Sequence, residues 1–174
     1  RYPDDIESYR PLDQRDVLCA PCDGLARAID SRQTHVKRGV DVDDCLEVDD
    51  SSSGLCIALM PNDFHHVFAP SHGKCVRVKW IQGQRRLDPT YKWCENIRVH
   101  IVLRTPKHGT CDIVLVGAIG VASVRLFVGE GDHVVKGQHI GHFDVGGSAV
   151  VLQVRPSVPR IAHGKLVARS SLER

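Results

Sequence analysis

Along this chain, apolar residues recur at every second position or in short unbroken runs far more often than at the three-and-four spacing of a helix. The segments LCIALM (55–60), KCVRVKWI (74–81), IRVHIVLR (97–104), CDIVLVGA (111–118), VASVRLFV (121–128) and SAVVLQV (148–154) are short and β-branched, and Gly, Pro, Asp or His-Gly bounds them. Each predicts a strand. Within 97–104 the alternation puts Val99, Ile101 and Leu103 on one face and Arg98, His100 and Val102 on the other. Turn residues in PSHG (70–73), TPKHG (105–109) and GEGD (129–132) separate the runs. The helix signals are a turn or two over VDVDDCLEV (40–48) and a poorly specified N-terminal piece. DDSSSG (49–54) reads as an exposed loop, and the tail ARSSLER as a fraying end. The expectation is one mainly β (β-rich α+β) domain over 1–174, with a compact barrel or sandwich core and few short helices.

One longer pattern adds to that picture. VGEGDHVVKGQHIGHFDVGG (128–147) has the G-D-x-V-x-K-G-Q-x-I-G form of a biotinyl or lipoyl-type β-hairpin, whose glycines permit tight turns. A carrier domain needs an exposed lysine at the hairpin tip. Lys136 instead lies inside the turn consensus, so the pattern speaks for fold before function.

Composition excludes several classes. At 174 residues the chain is long enough to bury about two thirds of its unfolded surface. Its 23 basic and 21 acidic side chains are spread along the whole length, which builds no field toward nucleic acid. Seven scattered cysteines, an odd number, suit reduced thiols in a cytosol better than a disulfide framework. No run approaches the roughly 18 apolar residues of a membrane span, and the charged start is unlike a signal peptide. The expected location is cytoplasmic, with peripheral membrane contact allowed but not declared by any segment.

Three stretches carry candidate chemistry. In GHFDVGGSAVVLQV (141–154) two glycines precede Ser148, so its hydroxyl meets little steric opposition to approaching the Gly147 carbonyl. Attack there would turn the peptide into an ester, provided a nearby His or Asp takes the hydroxyl proton. The plainer reading is a Gly-Gly turn before a strand. MPNDFHHVFAP (60–70) sets Asp63, His65 and His66 in a loop after an apolar strand, with the two histidines on opposite faces. His72 is close, but adjacent histidines do not readily share one ion and a third ligand at suitable spacing is missing, so no metal is expected. CAPCDG (19–24) offers a lone Cys-x-x-Cys, weak for zinc, and Asp23, a carboxylate at a turn that could orient a histidine.

Taken in order, APCDGLARAID, HVKRGV, IALMPNDFHHVFAPSHGKCVRV, CENIRVHIVL, GTCDIVLVGAIGVASV and GDHVVKGQHIGHFDVGGSAVVL resemble the successive blocks of the phosphatidylserine decarboxylases, over about Ala20 to Leu152. The family's Pro-x-Asp-Gly start matches Pro21-Cys22-Asp23-Gly24. Its Asp-Tyr-His-Arg-x-His-x-Pro loop matches Asp63 to Pro70, and its Gly-Ser-Thr motif matches Gly147-Ser148-Ala149. The resemblance implies self-cleavage between Gly147 and Ser148, leaving a pyruvoyl group made from Ser148 as the only cofactor. It implies decarboxylation through a Schiff base with the substrate amine, the electron-sink role that pyridoxal phosphate plays elsewhere. The substrate it implies is an aminophospholipid such as phosphatidylserine, or a free or modified amino acid. His65, matching the first histidine of the family loop, is the expected proton donor to the substrate α-carbon. Family members are often dimeric, so a homodimer is expected.

This sequence departs from the family at one chemically important place. The second loop histidine, which pairs with the Asp of the Asp-Gly block to activate the serine, falls at Phe68. His66 or His72 could substitute, or Asp23 could act through water; without a base, cleavage slows by a factor of ~100 to 10,000. Ile97 for Glu, Ala122 for Gly and Ala149 for Thr are milder changes. Three classes therefore stand: a pyruvoyl-dependent decarboxylase, a non-cleaving homologue that binds or regulates, and a carrier barrel working through Lys136.

Overall fold

The computed structural model of the protein describes residues 18–28, 53–84, 95–118, 124–144, 148–156 and 164–166. These residues form two antiparallel sheets. The larger is built from β1 (Gly24–Ala28), β2 (Ser53–Leu59), β4 (Gly73–Ile81), β5 (Arg98–Thr105), β6 (Gly109–Gly117), β8 (His133–Val134), β10 (Ser148–Arg155) and β11 (Gly164–Leu166). Its strand order is β11-β1-β2-β10-β6-β5-β4-β8. The smaller sheet has the order β3-β9-β7, from β3 (His66–Phe68), β9 (His139–Phe143) and β7 (Val124–Leu126).

One face of the large sheet makes the core. Leu55, Ile57 and Leu59 of β2 lie level with Leu152, Val150 and Ser148 of β10. That row continues through Ile113, Leu115 and Gly117 of β6 into Val99 and Ile101 of β5. These side chains pack on Val67, Ala69, Ile140 and Phe143, contributed by the segments around the small sheet. Alternation in 97–104 holds as expected, with Val99, Ile101 and Leu103 in the core and His100 turned to Asp112 at 2.8 Å. The two central strands β6 and β10 are buried on both faces, which is why their sequences read as unbroken apolar runs instead of alternating ones.

Several boundaries move. Ser53 and Gly54, read as exposed loop, belong to β2, because their pairing with Val154 and Gln153 extends the ladder upstream. Of 121–128 the described part is strand only over Val124–Leu126. The two strands within 128–147 do not pair with each other as the expected hairpin would: β9 pairs with β3 and with β7, which precedes the stretch, and β8 pairs with the edge of β4. β1, β3, β8, β9 and β11 are short strands that the hydropathy pattern does not single out. The helix expected at 40–48, the N-terminal piece and the tail lie outside the described residues. Among those described, no helix is long and apolar enough to cross a membrane.

Candidate active site

The chemistry-bearing blocks of the sequence meet at one end of the large sheet. Leu59 pairs with Ser148, and Ser148 pairs on its other side with Gly117. Leu25 pairs with Ala58, which sets Gly24 level with Leu59. The Gly117 N–H donates to the Ile97 carbonyl at 2.9 Å, bringing the Asn96–Arg98 block to the same end. Antiparallel order explains the convergence: β1, β5 and β10 begin where β2 and β6 finish. With strands about 4.8 Å apart, Gly24 stands roughly two strand widths, ~10 Å, from Ser148. A carboxylate at Asp23 therefore needs a bridging group to act on the Ser148 hydroxyl.

Ser148 is 1% exposed and faces the core side of the sheet, on the row of Val150 and Leu152. Its Oγ has no hydrogen-bond partner among the described residues. Leaving a buried hydroxyl unpaired costs about 1–3 kcal/mol, a departure from the rule that buried polar groups are satisfied and one that calls for a chemical reason. Gly147, the other half of the expected scissile bond, lies outside the described residues.

Asp23 directly precedes Gly24, whose φ of +143° and tight fit against β2 leave no room for a side chain; a Cβ there would stand 2.4 Å from the Ala58 carbonyl oxygen. Cys22 beside it is fully buried. Burial raises its thiol pKa well above the ordinary range, and the nearby Asp23 and Asp63 carboxylates add to that rise, so both acids border the same spot. Asp63 closes the loop after β2: its Oδ2 accepts from the Met60 N–H at 2.7 Å, while its own N–H donates to the Met60 carbonyl at 2.9 Å.

His65 donates from Nδ1 to the Asp63 backbone carbonyl at 2.7 Å, which makes Nε2 its basic nitrogen. Its ring meets Phe143 edge-on, and its own carbonyl accepts from the Phe143 N–H at 3.0 Å. That combination gives a positioned imidazole on the loop that leaves the Ser148 end of the sheet.

His66 points elsewhere, as the expected alternation requires. Its Nδ1 lies 2.8 Å from His139 Nε2, and its ring stacks on Phe64 with centroids 4.2 Å apart. Burial, then repulsion from His139, His142 and His65, lowers its pKa to about 4. Phe68 is 4% exposed, and its ring lies on the same side, near Phe64 and His139. The Phe68 N–H donates to the Pro21 carbonyl at 2.7 Å, so the position expected to hold the base is anchored to the Asp-Gly block but carries no titratable group. His72 is exposed and accepts from the Lys136 N–H at 3.3 Å. Neither His66 nor His72 bonds Ser148 Oγ. Lys136 is itself 4% exposed, the opposite of what attachment of a carried group requires.

Two histidines were missed in the sequence. His139 and His142 are three apart, a spacing that on a regular strand sends side chains to opposite faces. The pairing of β3 with β9 runs His66 to His142, Val67 to Gly141 and then Phe68 to His139, so one extra residue of β9 is bulged out there. The bulge returns both imidazoles to the His66 side.

The family model described as phosphatidylserine decarboxylase matches residues 5–169. The chain belongs to the phosphatidylserine decarboxylase family. Among relatives, the phosphatidylserine decarboxylase proenzyme 3 of Schizosaccharomyces pombe is 30% identical over 164 residues, covering 84% of this chain and 17% of the yeast protein. The proenzyme 2 of rice is 30% identical over 66% of this chain and 20% of its own length. A putative archaetidylserine decarboxylase proenzyme of Archaeoglobus fulgidus is 35% identical over 58% of this chain and 50% of its own. The chain thus spans at most about half the length of these relatives. All three relatives are described as proenzymes.

Proposed function

We propose that this chain is the self-processing domain of a pyruvoyl-dependent decarboxylase, with Ser148 as both nucleophile and cofactor precursor. The observation that carries this reading is the buried Ser148 hydroxyl, without a partner among the described residues, at the first position of a core strand where the Asp-Gly, histidine-loop and Val-Gly-Ala blocks meet. Attack by Oγ on the Gly147 carbonyl breaks the peptide bond and forms an ester as the hydroxyl proton leaves. β-Elimination then expels the Gly147 carboxylate, and hydrolysis of the resulting dehydroalanine releases ammonia. The pyruvoyl carbonyl so generated supplies an electron sink for the pair left when carbon dioxide departs.

The chain's own residues do the rest. Pairing of β10 with β2 and β6 keeps the new terminus in the sheet after cleavage. The apolar row behind Ser148 excludes water. His65, with Nδ1 committed to the Asp63 carbonyl, holds a proton on Nε2 for delivery to the substrate α-carbon. The substrate class is an amine bearing an α-carboxylate: the serine headgroup of a phospholipid, in line with the names of the relatives, or a free amino acid. Phe68 supports a second reading, in which the chain keeps the fold and the headgroup site but no longer cleaves.

Intact mass of the purified, denatured protein tests the proposal. The expected result is two fragments, 1–147 and 148–174, the second carrying pyruvoyl in place of serine, with Ser148→Ala remaining a single chain. An uncut wild-type chain would move the non-cleaving reading forward, and decarboxylation by an uncut chain would overturn the role of Ser148.

A further inference from the structure

We propose that His66, His139 and His142 form a zinc site on the small sheet, with three imidazole ligands and one open coordination position. Their donor nitrogens all lie within 4.8 Å of one another. Zinc–nitrogen bonds of about 2.0–2.1 Å in a tetrahedral site put donors about 3.3 Å apart. The 2.8 Å between His66 Nδ1 and His139 Nε2 thus has to widen by about half an ångström, and separations of up to 4.8 Å have to close by up to about 1.5 Å, adjustments that side-chain rotation supplies.

At His142 the nitrogens are already assigned as a metal would need them. His142 Nε2 donates to Asp144 Oδ1 at 3.0 Å, which leaves the lone pair on Nδ1, and Nδ1 is buried without a partner among the described residues. A carboxylate on the far nitrogen of a ligating histidine is the usual outer support of a zinc site, fixing both tautomer and ring orientation. Asp144 is in turn held by Arg125 Nε at 3.3 Å. The His139 ring also has a hydrogen bond to the backbone of Gly141. Phe64 stacks on His66, and Phe127, 52% exposed, lies with its ring centroid 4.7 Å from that of His139 and 5.5 Å from that of His142. This apolar cover limits water on two sides.

Aromatic packing alone does not account for the arrangement. Phenyl rings would stack equally well with no buried nitrogen left over, whereas the His142 Nδ1 lone pair, buried with no partner among the described residues, costs stability unless something accepts it; an ion would replace the 2.8 Å hydrogen bond between His66 Nδ1 and His139 Nε2. Ligands made only of imidazole select borderline ions of the zinc, copper and nickel group over magnesium or calcium. A closed-shell ion of tetrahedral preference fits three ligands and an open position best. The site bridges β3 to β9 across the bulge, so the ion would fix the segment that follows His65. It stands independently of the chemistry at Ser148.

The test uses the full chain without a polyhistidine tag, stripped with chelator, titrated with zinc chloride and desalted before elemental analysis, with cobalt(II) as a spectroscopic stand-in. The expected result is one zinc per chain and the visible absorption of tetrahedral cobalt. His139→Ala and His142→Gln should abolish both, and Asp144→Asn should weaken binding by about 10- to 100-fold. His133→Ala, an exposed histidine outside the cluster, should bind as wild type, as should Ser148→Ala even if the decarboxylase reading fails. Circular dichroism confirms that each variant is folded. No zinc retained by wild type, or equal zinc retained by folded His139→Ala and His142→Gln, would overturn the site.

Discussion

Replacing Phe68 with histidine should accelerate self-cleavage. The position is anchored to the Asp-Gly block by the 2.7 Å bond from its N–H to the Pro21 carbonyl, two residues before Asp23. Asp23 sits about two strand widths from Ser148, too far to take the proton itself, and an imidazole at position 68 would bridge the two only by turning toward Ser148 from the Phe64 and His139 side, where the phenyl ring now lies. Restoring a general base is worth ~100- to 10,000-fold in rate, or about 2.7–5.5 kcal/mol of barrier at 1.36 kcal/mol per decade. Stability moves the other way. The Phe68 ring is almost fully buried against Phe64 and His139. Full burial of a phenylalanine is worth about 1.5–3 kcal/mol, of which an imidazole of similar shape keeps part. A loss of about 1–2 kcal/mol corresponds to a fall in Tm of ~2–8 °C. The assay is a time course of intact mass after refolding, for wild type, Phe68→His, Phe68→Leu and Phe68→His with Ser148→Ala. Phe68→Leu should lose comparable stability without gaining rate, and the double variant should stay whole. A folded Phe68→His that cleaves no faster than wild type would refute the idea that the missing base at this position limits processing.

Other outcomes follow from the same geometry. His65→Ala should leave cleavage intact and remove decarboxylase turnover, read by carbon dioxide release; loss of cleavage instead would mean that His65 acts on Ser148 and not on substrate. Gly24→Ala should destabilise the fold by about 2 kcal/mol or more, seen in the urea midpoint, since both the φ of +143° and the Ala58 carbonyl oppose a side chain there. An unchanged midpoint would show that β1 can shift without cost. Burial, with a smaller contribution from Asp112, pushes the Cys111 thiol from its ordinary 9.0 up to about 12, so its thiolate fraction near pH 8 falls roughly a thousandfold. Peptide mapping after iodoacetamide treatment should find the half-buried Cys19 modified and Cys111 untouched until the chain is unfolded; early modification of Cys111 would contradict the closed core.

The sequence by itself determined the β class, the long strands and the family, because each is written in local pattern. Alternation in 97–104 needs only the two-residue period of a strand to sort core from polar face. The family blocks keep their order whatever their distances in space. Ser148 was singled out as a candidate for the same reason, since Gly-Gly-Ser before an apolar run is a local feature. Only the tertiary structure decided what stands beside what. Strands β1, β3 and β8 are short, and their pairing partners, more than their own hydropathy, make them strands. Ser53 and Gly54 are in a strand because β10 extends past them. The separation of His65 from His66 was readable as alternation, but their partners were not: one is fixed by a nearby carbonyl, the other by a histidine 73 residues away. The histidine cluster lay furthest from reach. Its three members come from two strands, and a bulge in β9, which exists only through pairing with β3, reverses the facing that their spacing implies.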